Sequence, residues 1–450
     1  MGDYWELTLR FISLADANVR NVVIGSILLG SAGGAMGSFA LLQKKALLGD
    51  ALAHAALPGV CLAFMVVGSK DAFALLIGAT VTAWLGSGVI NYITRRSRLK
   101  LDAALALTLS VFFGIGVALL TIIQRSGSGN QSGLDKFIFG QAASILEDDL
   151  IVLAVVTAII FVVLGLLFKE FKLLTFDSLF AGSLGRPLGL LQFIMTTLLV
   201  FAVIIGLQAV GVVLMAAMLV MPAAAARQWT NSLRSMVILS ALIGAISGVT
   251  GSYVSFLAPH FPTGPWIVVM AGLIFLLSLV LAPERGLLAQ LIRRISARRK
   301  IILDHLLKAF YAIGAETPHS SQLAYPVATM SERSRLSVRD SERGLRALKS
   351  KGMVSRTVDG WTLTASGAES AERVVRRHRL WEVYLRNYLG LAADHLHRDA
   401  DELEHLITPE MERSLQLELN RPEYDPHKKV IPYQTTPSKN LRGEKTSRES

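Results

Sequence analysis

The sequence predicts an all-α, multi-pass membrane domain of about nine transmembrane helices, followed by a soluble region with a winged helix and further helices. The 450 residues are 52% hydrophobic, which is too apolar for an ordinary soluble protein. Residues 291–450 hold 28 of the 45 Lys and Arg residues and 21 of the 34 Asp and Glu residues. Charge is therefore scarce in the first part and concentrated in the second, which indicates two domains in different environments.

Nine apolar segments each approach the roughly 20 residues that cross a bilayer. They lie near residues 21–42, 46–68, 71–93, 101–123, 149–168, 188–208, 209–227, 236–257 and 265–283. A shorter apolar piece, Phe137 to Leu146, is expected to be a half-span or a re-entrant element. Basic clusters predict which side faces the cytoplasm. They indicate a multi-pass protein of the cytoplasmic (inner) membrane whose C-terminal region is cytoplasmic.

Asp50 and His54 lie four residues apart inside the second apolar segment. On a helix, positions i and i+4 share one face, so both side chains can reach the same point. Charged residues within a bilayer are costly and usually mark a pathway. The spacing alone also allows a plainer interpretation, an Asp at a helix end with a packed His nearby. The single cysteine, Cys61, excludes an intrachain disulfide and a site with several thiolates.

The soluble region begins with a basic linker, residues 289–300, which is expected to lie against anionic lipid. The pattern of residues 301–365 is typical of a winged helix, with helices and then strands over Ile301–Ile313, Ser320–Thr329, Val338–Lys349, 352–357 and 360–364. Val338, Leu345 and Leu348 are the expected apolar face of the third helix. The same helix carries the candidate DNA-binding residues Arg339, Arg343 and Arg346, although exposed Arg is usually a solvated surface.

Residues 366–432 are predicted to be helical, and the polar stretch 433–450 to be a disordered tail. The expected helices are Ser366–Leu389, His397–Leu406 and one that starts at Thr408-Pro409. Histidines and carboxylates share helical faces here, at His378, Glu382, His397, Asp401, Glu404 and His405. Such a set suits a metal site with oxygen and nitrogen ligands. A charged, solvated helix face would give the same pattern.

Three motifs of the membrane part resemble the permeases of zinc/manganese/iron ABC importers: residues 47–59 around Asp50 and His54, residues 137–140, and residues 210–226. Pro262-Thr263-Gly264-Pro265 is similar to the family's last external loop. The resemblance covers roughly residues 10–285 and implies an ABC importer permease. It implies that Asp50 and His54 hold a divalent Mn, Fe or Zn ion in the translocation path, chemistry that suits a carboxylate and an imidazole.

The same resemblance implies partners. The sequence contains no Gly-x-x-x-x-Gly-Lys-Ser/Thr loop, so no nucleotide is expected to bind this chain in the P-loop manner, and an ATP-binding cassette subunit is required. Residues 176–185 resemble the family's coupling helix, with Phe176, Asp177, Ala181 and Gly185 as the expected docking residues. An amphipathic connector would look similar. An extracytoplasmic metal-binding protein and a homo- or heterodimeric permease are also implied.

Residues 301–432 resemble the diphtheria-toxin-repressor family, on Arg377–Glu382, Leu389-Gly390, His397–His405 and Asp425-Pro426-His427. The resemblance implies one metal site at His378, Glu382 and His397. It implies another at Asp401, Glu404 and His405, with His305 as a fourth ligand. Asp401 stands where iron-type members of the family have Cys and manganese-type members have Glu, and His305 stands where they have Met or Asp. Lys308 stands where a manganese-type member would have a second carboxylate. The expected regulatory ligand is divalent Mn, Fe or Zn.

The expected organisation is a permease domain (1–288), a linker (289–300), a winged helix (301–365), a metal-binding and dimerisation domain (366–432) and a tail (433–450). The predicted function is that of a transport permease for a divalent transition metal, rather than an enzyme, joined to a metal-responsive regulator. The main alternative is a membrane-tethered or cleaved metal-dependent repressor of operator DNA with little or no transport. A proton-coupled transporter is a further alternative, but it should show more intramembrane carboxylates than Asp50 and Asp102.

Overall fold

The computed structural model describes residues 2–69, 71–125, 147–257, 261–316, 323–389 and 408–433. The chain divides into two compact units, Met1–Gln290 and Leu291–Ser450. The predicted half-span at 137–146, the predicted helix His397–Leu406 and residues 434–450 of the predicted tail lie outside the described residues.

The described part of the first unit is helical throughout. Its helices are α1 (Gly2–Ser13), α2 (Ala17–Leu42), α3 (Leu48–Val67), α4 (Ala72–Arg96), α5 (Leu101–Arg125), α6 (Glu147–Leu166), α7 (Phe168–Phe176), α8 (Ser178–Ser183), α9 (Leu188–Val210), α10 (Val212–Trp229), α11 (Leu233–Leu257) and α12 (Thr263–Leu281). Helix α13 (Leu287–Glu316) begins at the end of this unit.

Eight helices of the described ranges are long and apolar enough to cross a membrane, namely α2, α3, α4, α5, α6, α9, α11 and α12. The ninth predicted segment, residues 209–227, forms α10, which follows α9 after a single residue. That residue is Gly211, with φ 85° and ψ 165°, a conformation open to glycine and strained for other residues. The multi-pass helical domain is confirmed, and eight helices within the described ranges are clear spans where about nine were expected.

Small residues allow α2 to approach its neighbours closely at the centre of the unit. A Cβ on Gly30 would overlap the backbone carbonyl of Gly244 on α11. A Cβ on Gly244 would likewise overlap the backbone carbonyl of Gly30. Close by, Ser240 Oγ donates to the Gly34 carbonyl at 2.5 Å. Helices in a membrane gain stability mainly from close packing and interhelical hydrogen bonds, and both occur along this contact.

The second unit contains most of α13, then α14 (Val327–Ser334), α15 (Val338–Ser350), β1 (Val354–Arg356), β2 (Trp361–Leu363), α16 (Ala365–Leu389) and α17 (Pro409–Glu418). The strands are antiparallel, with Ser355 opposite Thr362. The core includes Leu306 of α13, Met330 of α14 and Leu348 of α15, all fully buried. The predicted third helix, hairpin and long helix after it are confirmed, and Pro409 begins α17 as expected.

Two details of the expected winged helix were wrong. The second helix was predicted over Ser320–Thr329, but it spans Val327–Ser334, because Pro326 disfavours helix at the residue before it. Tyr325 instead pairs with Trp361, and each backbone N–H donates to the other residue's carbonyl at 2.9 Å. Val338 was expected on the buried face of α15, yet it is 57% exposed, since it lies in the first turn beyond the core.

Candidate metal path, coupling segment and regulatory site

Asp50 and His54 lie in the first two turns of α3, one above the other. His54 Nε2 is 3.5 Å from Asp50 Oδ1, and the side chains are 12% and 27% exposed. Their neighbours Ala51, Leu52, Ala53 and Ala55 are fully buried. A Cβ on Gly49 would meet the Leu219 side chain of α10, so α10 packs directly beside the pair. A polar pair is thus held within an apolar helix bundle at one end of a span.

The ring of His54 is fixed by Phe113 on α5, an aromatic partner that the sequence pattern did not reveal. The ring centroids are 4.8 Å apart and the planes are nearly perpendicular, at 88°. His54 Nδ1 is buried and has no hydrogen-bond partner within the described residues. A buried ring nitrogen usually has a partner, so His54 Nδ1 retains hydrogen-bonding capacity that the described residues do not use.

The loop before α3 is held in place by polar contacts. Gln43 Nε2 donates to Met195 Sδ at 3.0 Å and to Thr175 Oγ1 at 3.4 Å, which ties the loop to α9 and α7. The Lys45 side chain lies beside Leu48 at the start of α3, and burial lowers the pKa of its ammonium group. The loop therefore brings a partly desolvated cation close to the end of the helix that carries Asp50.

The predicted coupling segment forms the short helix α8. Asp177 caps it by accepting a hydrogen bond from the Phe180 N–H at 2.9 Å, while Ala181 is buried and Gly185 takes a positive φ of 72° after the helix. Apolar side chains of α8 are exposed, Leu179 at 87% and Phe180 at 52%, and Phe176 at the end of α7 is 60% exposed. An apolar, solvent-facing patch of this kind is typical of a protein-binding surface.

In the second unit, His378 and Glu382 lie one turn apart on α16, and His378 Nε2 is 3.1 Å from Glu382 Oε1. The Glu382 side chain is fully buried. Lys308 of α13 contributes its Nζ atom 3.1 Å from His378 Nδ1. His305, one turn earlier on α13, lines the same open cavity of about 720 Å³, and its Nδ1 is 3.4 Å from the Ser334 carbonyl.

The remaining predicted ligands, His397, Asp401, Glu404 and His405, lie outside the described residues. Among the described residues there is no group of three or more His, Cys, Asp and Glu side chains close enough to hold a metal ion. The structure therefore brings His378 and Glu382 together and places His305 in the same cavity. Arg379 and Asp425 form another part of the cavity wall, which the sequence did not predict. Arg379 Nε lies 3.6 Å from a carboxylate oxygen of the buried Asp425.

The distance between the two donors of α16 is compatible with one ion. Ligand atoms about 2.1 Å from a metal in octahedral geometry lie about 3.0 Å from each other, and His378 Nε2 and Glu382 Oε1 are 3.1 Å apart. An imidazole and a carboxylate together suit Mn and Fe(II). These two residues therefore fit the regulatory metal that the sequence predicts.

The three candidate DNA-binding arginines lie on α15, which Ser337 caps by accepting from the Asp340 N–H at 3.1 Å. Arg339, Arg343 and Arg346 are all exposed, and Arg346 pairs with Glu342 one turn before it. Arg298 of α13 lies 3.5 Å from Asp340, so the basic linker contacts the first turn of α15. This face of α15 is exposed and basic, and the Arg346–Glu342 pair reduces its positive charge.

Comparisons with known proteins define the class. The model of the ABC 3 transport family matches residues 15–282, more than half of the chain, so this chain belongs to that family. The iron dependent repressor metal-binding and dimerisation domain matches residues 364–433. The expected permease and repressor resemblances are thereby confirmed.

Relatives and solved structures agree with this assignment. The manganese transport system membrane protein MntC of Bacillus subtilis is 42% identical over 383 residues, covering 85% of this chain and 87% of that protein. The zinc transport system membrane protein TroC of Treponema pallidum is 45% identical over 280 residues, covering 62% and 94%. PsaBC from Streptococcus pneumoniae in complex with Fab superposes with a TM-score of 0.56 at 32% identity, covering 62% of this chain and 97% of that one.

Proposed function

We propose that this chain is the permease of an ATP-driven importer of a divalent transition metal, and that Asp50 and His54 hold the ion during passage. The observation that carries the proposal is the pair itself, 3.5 Å apart on one face of α3, with a buried His54 Nδ1 that lacks a partner within the described residues. Two protein ligands bind an ion strongly enough to admit it and weakly enough to release it.

The carried ion is Mn, Zn or Fe. A carboxylate and an imidazole suit all three metals, and relatives include a manganese system and a zinc system. The chain is placed in the inner membrane with its second unit in the cytoplasm, where basic residues after the last span are favoured.

Uptake by the assembled importer tests the proposal. Asp50→Asn keeps the size of the side chain and removes its charge, so ATP-dependent ⁵⁴Mn uptake into vesicles should fall by about 100-fold, the upper end of the losses seen when residues that support a metal are replaced. Asp102→Asn is the matched control, because Asp102 also lies in the first turn of a span but is exposed. Equal uptake by Asp50→Asn and wild type would contradict the proposed path.

Transport requires an ATPase, and we place its contact at the exposed apolar face of α8, with Phe176, Asp177, Ala181 and Gly185 forming and supporting that surface. An external metal-binding protein would deliver the ion, and two permease copies, identical or different, would enclose the path. Anionic lipid would contact the linker 289–300.

The second unit is proposed to sense cytoplasmic metal and inhibit transport. The match to a repressor metal-binding domain and the paired donors of His378 and Glu382 support this role, with His305, His397, Asp401, Glu404 and His405 as the other expected ligands. When bound, the metal would link α16 to the other ligand-bearing segments. Uptake at high metal with His378→Ala plus His405→Ala tests it: uptake should persist in the double variant, and a rate equal to wild type would reject the role.

A second function, metal-dependent binding of operator DNA, is favoured by the exposed Arg339, Arg343 and Arg346 on α15. DNA binding could occur while the chain is tethered or after cleavage in the linker. A gel shift with purified chain, its own upstream DNA and Mn(II) tests this function, and Arg343→Ala should weaken the shift. The absence of any metal-dependent shift would exclude it.

A further inference from the structure

Lys308 makes a contact that the proposed regulatory site does not need. It lies on α13, and its Nζ atom is 3.1 Å from Nδ1 of His378 on α16. The other ring nitrogen of His378, Nε2, is 3.1 Å from Glu382 Oε1. Both His378 and Glu382 are buried, the latter completely. A lysine, a histidine and a glutamate therefore form a chain of close polar contacts within one wall of the cavity.

The chemistry of the lysine determines the tautomer of the histidine. A lysine ammonium has three N–H donors and no acceptor, so a hydrogen bond between Nζ and Nδ1 requires Nδ1 to accept. The proton of the neutral ring must then be on Nε2, the nitrogen that lies 3.1 Å from Glu382 Oε1. In this arrangement neither ring nitrogen offers a lone pair to a metal, because one lone pair faces the ammonium and the other nitrogen carries a proton.

A metal-bound histidine has the opposite requirements. It gives the lone pair of one nitrogen to the metal and donates the N–H of the other to an acceptor such as a carboxylate, a carbonyl or a water. Ligation through Nε2 beside Glu382 would put the proton on Nδ1, directly against the ammonium of Lys308. Binding thus requires Lys308 to move away and the ring proton to change nitrogen.

Resting on the proposed regulatory function, we propose that Lys308 is an internal competitor that sets the metal threshold of the His378–Glu382 site. When metal is scarce, the ammonium group supplies positive charge at Nδ1 of His378, whose Nε2 faces the buried Glu382 carboxylate; the ion supplies it when metal is abundant. Arg333, Arg335 and Lys429 also line the cavity, and like charges raise the threshold further. The site would therefore be filled only at elevated metal, as an inhibitory sensor requires.

The experiment measures Mn(II) binding by electron paramagnetic resonance on the purified full chain in nanodiscs. The part of the Mn(II) binding that is lost in His378→Ala is assigned to the regulatory site. The Mn(II) binding that remains in this variant is assigned to the transport path. Lys308→Gln offers Nδ1–H an amide oxygen and should tighten that binding by about 10- to 100-fold, the range over which residues around a metal alter its affinity. Lys308→Met should tighten it less, and Lys308→Arg, which keeps a donor-only cation, should bind as wild type does.

A second readout protects the result against a misfolded variant. Mn(II) should raise the unfolding temperature of Lys308→Gln at lower concentrations than it does for wild type. Equal affinities for wild type and Lys308→Gln, with His378-dependent binding present in both, would overturn the competitor role and leave the regulatory function standing. If no variant shows His378-dependent binding, the regulatory function and the inference both fail.

Discussion

Arg376 of α16 and Glu412 of α17 form a buried ion pair, in which Arg376 Nε donates to Glu412 Oε1 at 2.8 Å and the side chains are 9% and 13% exposed. Arg376 also donates to the Pro432 carbonyl at 3.1 Å. These contacts join helices that are separated by residues outside the described ranges. They hold the C-terminal segment onto the helix that carries His378 and Glu382.

Replacing Arg376 should therefore destabilise the second unit. Arg376→Met leaves Glu412 buried without its partner, and breaking such a pair typically costs about 3–5 kcal/mol. Arg373→Met is the control, because Arg373 lies one turn earlier on the same helix but is exposed. The denaturation midpoint of each variant is measured by monitoring chemical denaturation with circular dichroism. Equal midpoints for the two variants would show that the ion pair contributes little to stability.

Packing of α2 against α11 depends on the absence of a side chain at Gly30. Gly30→Ala would force a Cβ into the Gly244 carbonyl, and overpacking costs about 1–3 kcal/mol where the backbone must move. Gly114→Ala, on the open face of α5 with nothing within 4 Å of a Cβ, should have no adverse effect. Thermal unfolding in detergent compares them. If Gly30→Ala were as stable as Gly114→Ala, α2 and α11 could move apart to admit the methyl group with no loss of stability.

The aromatic contact of His54 should affect ion affinity more than folding. Phe113→Ala removes the ring that fixes the imidazole, so the apparent KM for Mn(II) should rise by about tenfold, the lower end of the effects of groups that orient metal ligands. Phe112→Ala, at the adjacent position, should leave the KM unchanged. If Phe112→Ala raises the KM as much as Phe113→Ala does, general repacking of α5 is the cause.

The exposed face of α8 should determine ATPase binding. Leu179→Glu puts a charge on a side chain that is 87% exposed, so folding should be preserved. Loss of an interface anchor of about 2 kcal/mol weakens binding by about thirtyfold. Co-purification with the ATPase and coupled ATP hydrolysis measure this effect. Val358→Glu, at a fully exposed apolar site on the hairpin of the second unit, should bind the ATPase normally.

Local features of the sequence were sufficient to predict many of the helices and both strands of the hairpin. Apolar runs of bilayer length predicted the eight clear spans, and the pattern around Val338–Lys349 predicted α15 and the hairpin after it. The helix near residue 320 was misplaced because periodicity alone does not weigh the effect of Pro326 on the preceding backbone. The boundary between α9 and α10 lies at Gly211 and not between residues 208 and 209 as predicted, because only the backbone conformation of Gly211 separates the two helices.

The sequence by itself determined which candidate ligands share a helix face, because a spacing of four along a helix fixes the relation of Asp50 to His54 and of His378 to Glu382. Tertiary structure alone brought Phe113 to the His54 ring and Lys308 to the His378 ring. Those contacts join residues about 60 and 70 positions apart, and only packing between helices decides them. The physical consequence is largest at Lys308, where a neighbouring helix brings an ammonium group to 3.1 Å from a ring nitrogen of a histidine that the sequence marked only as a ligand.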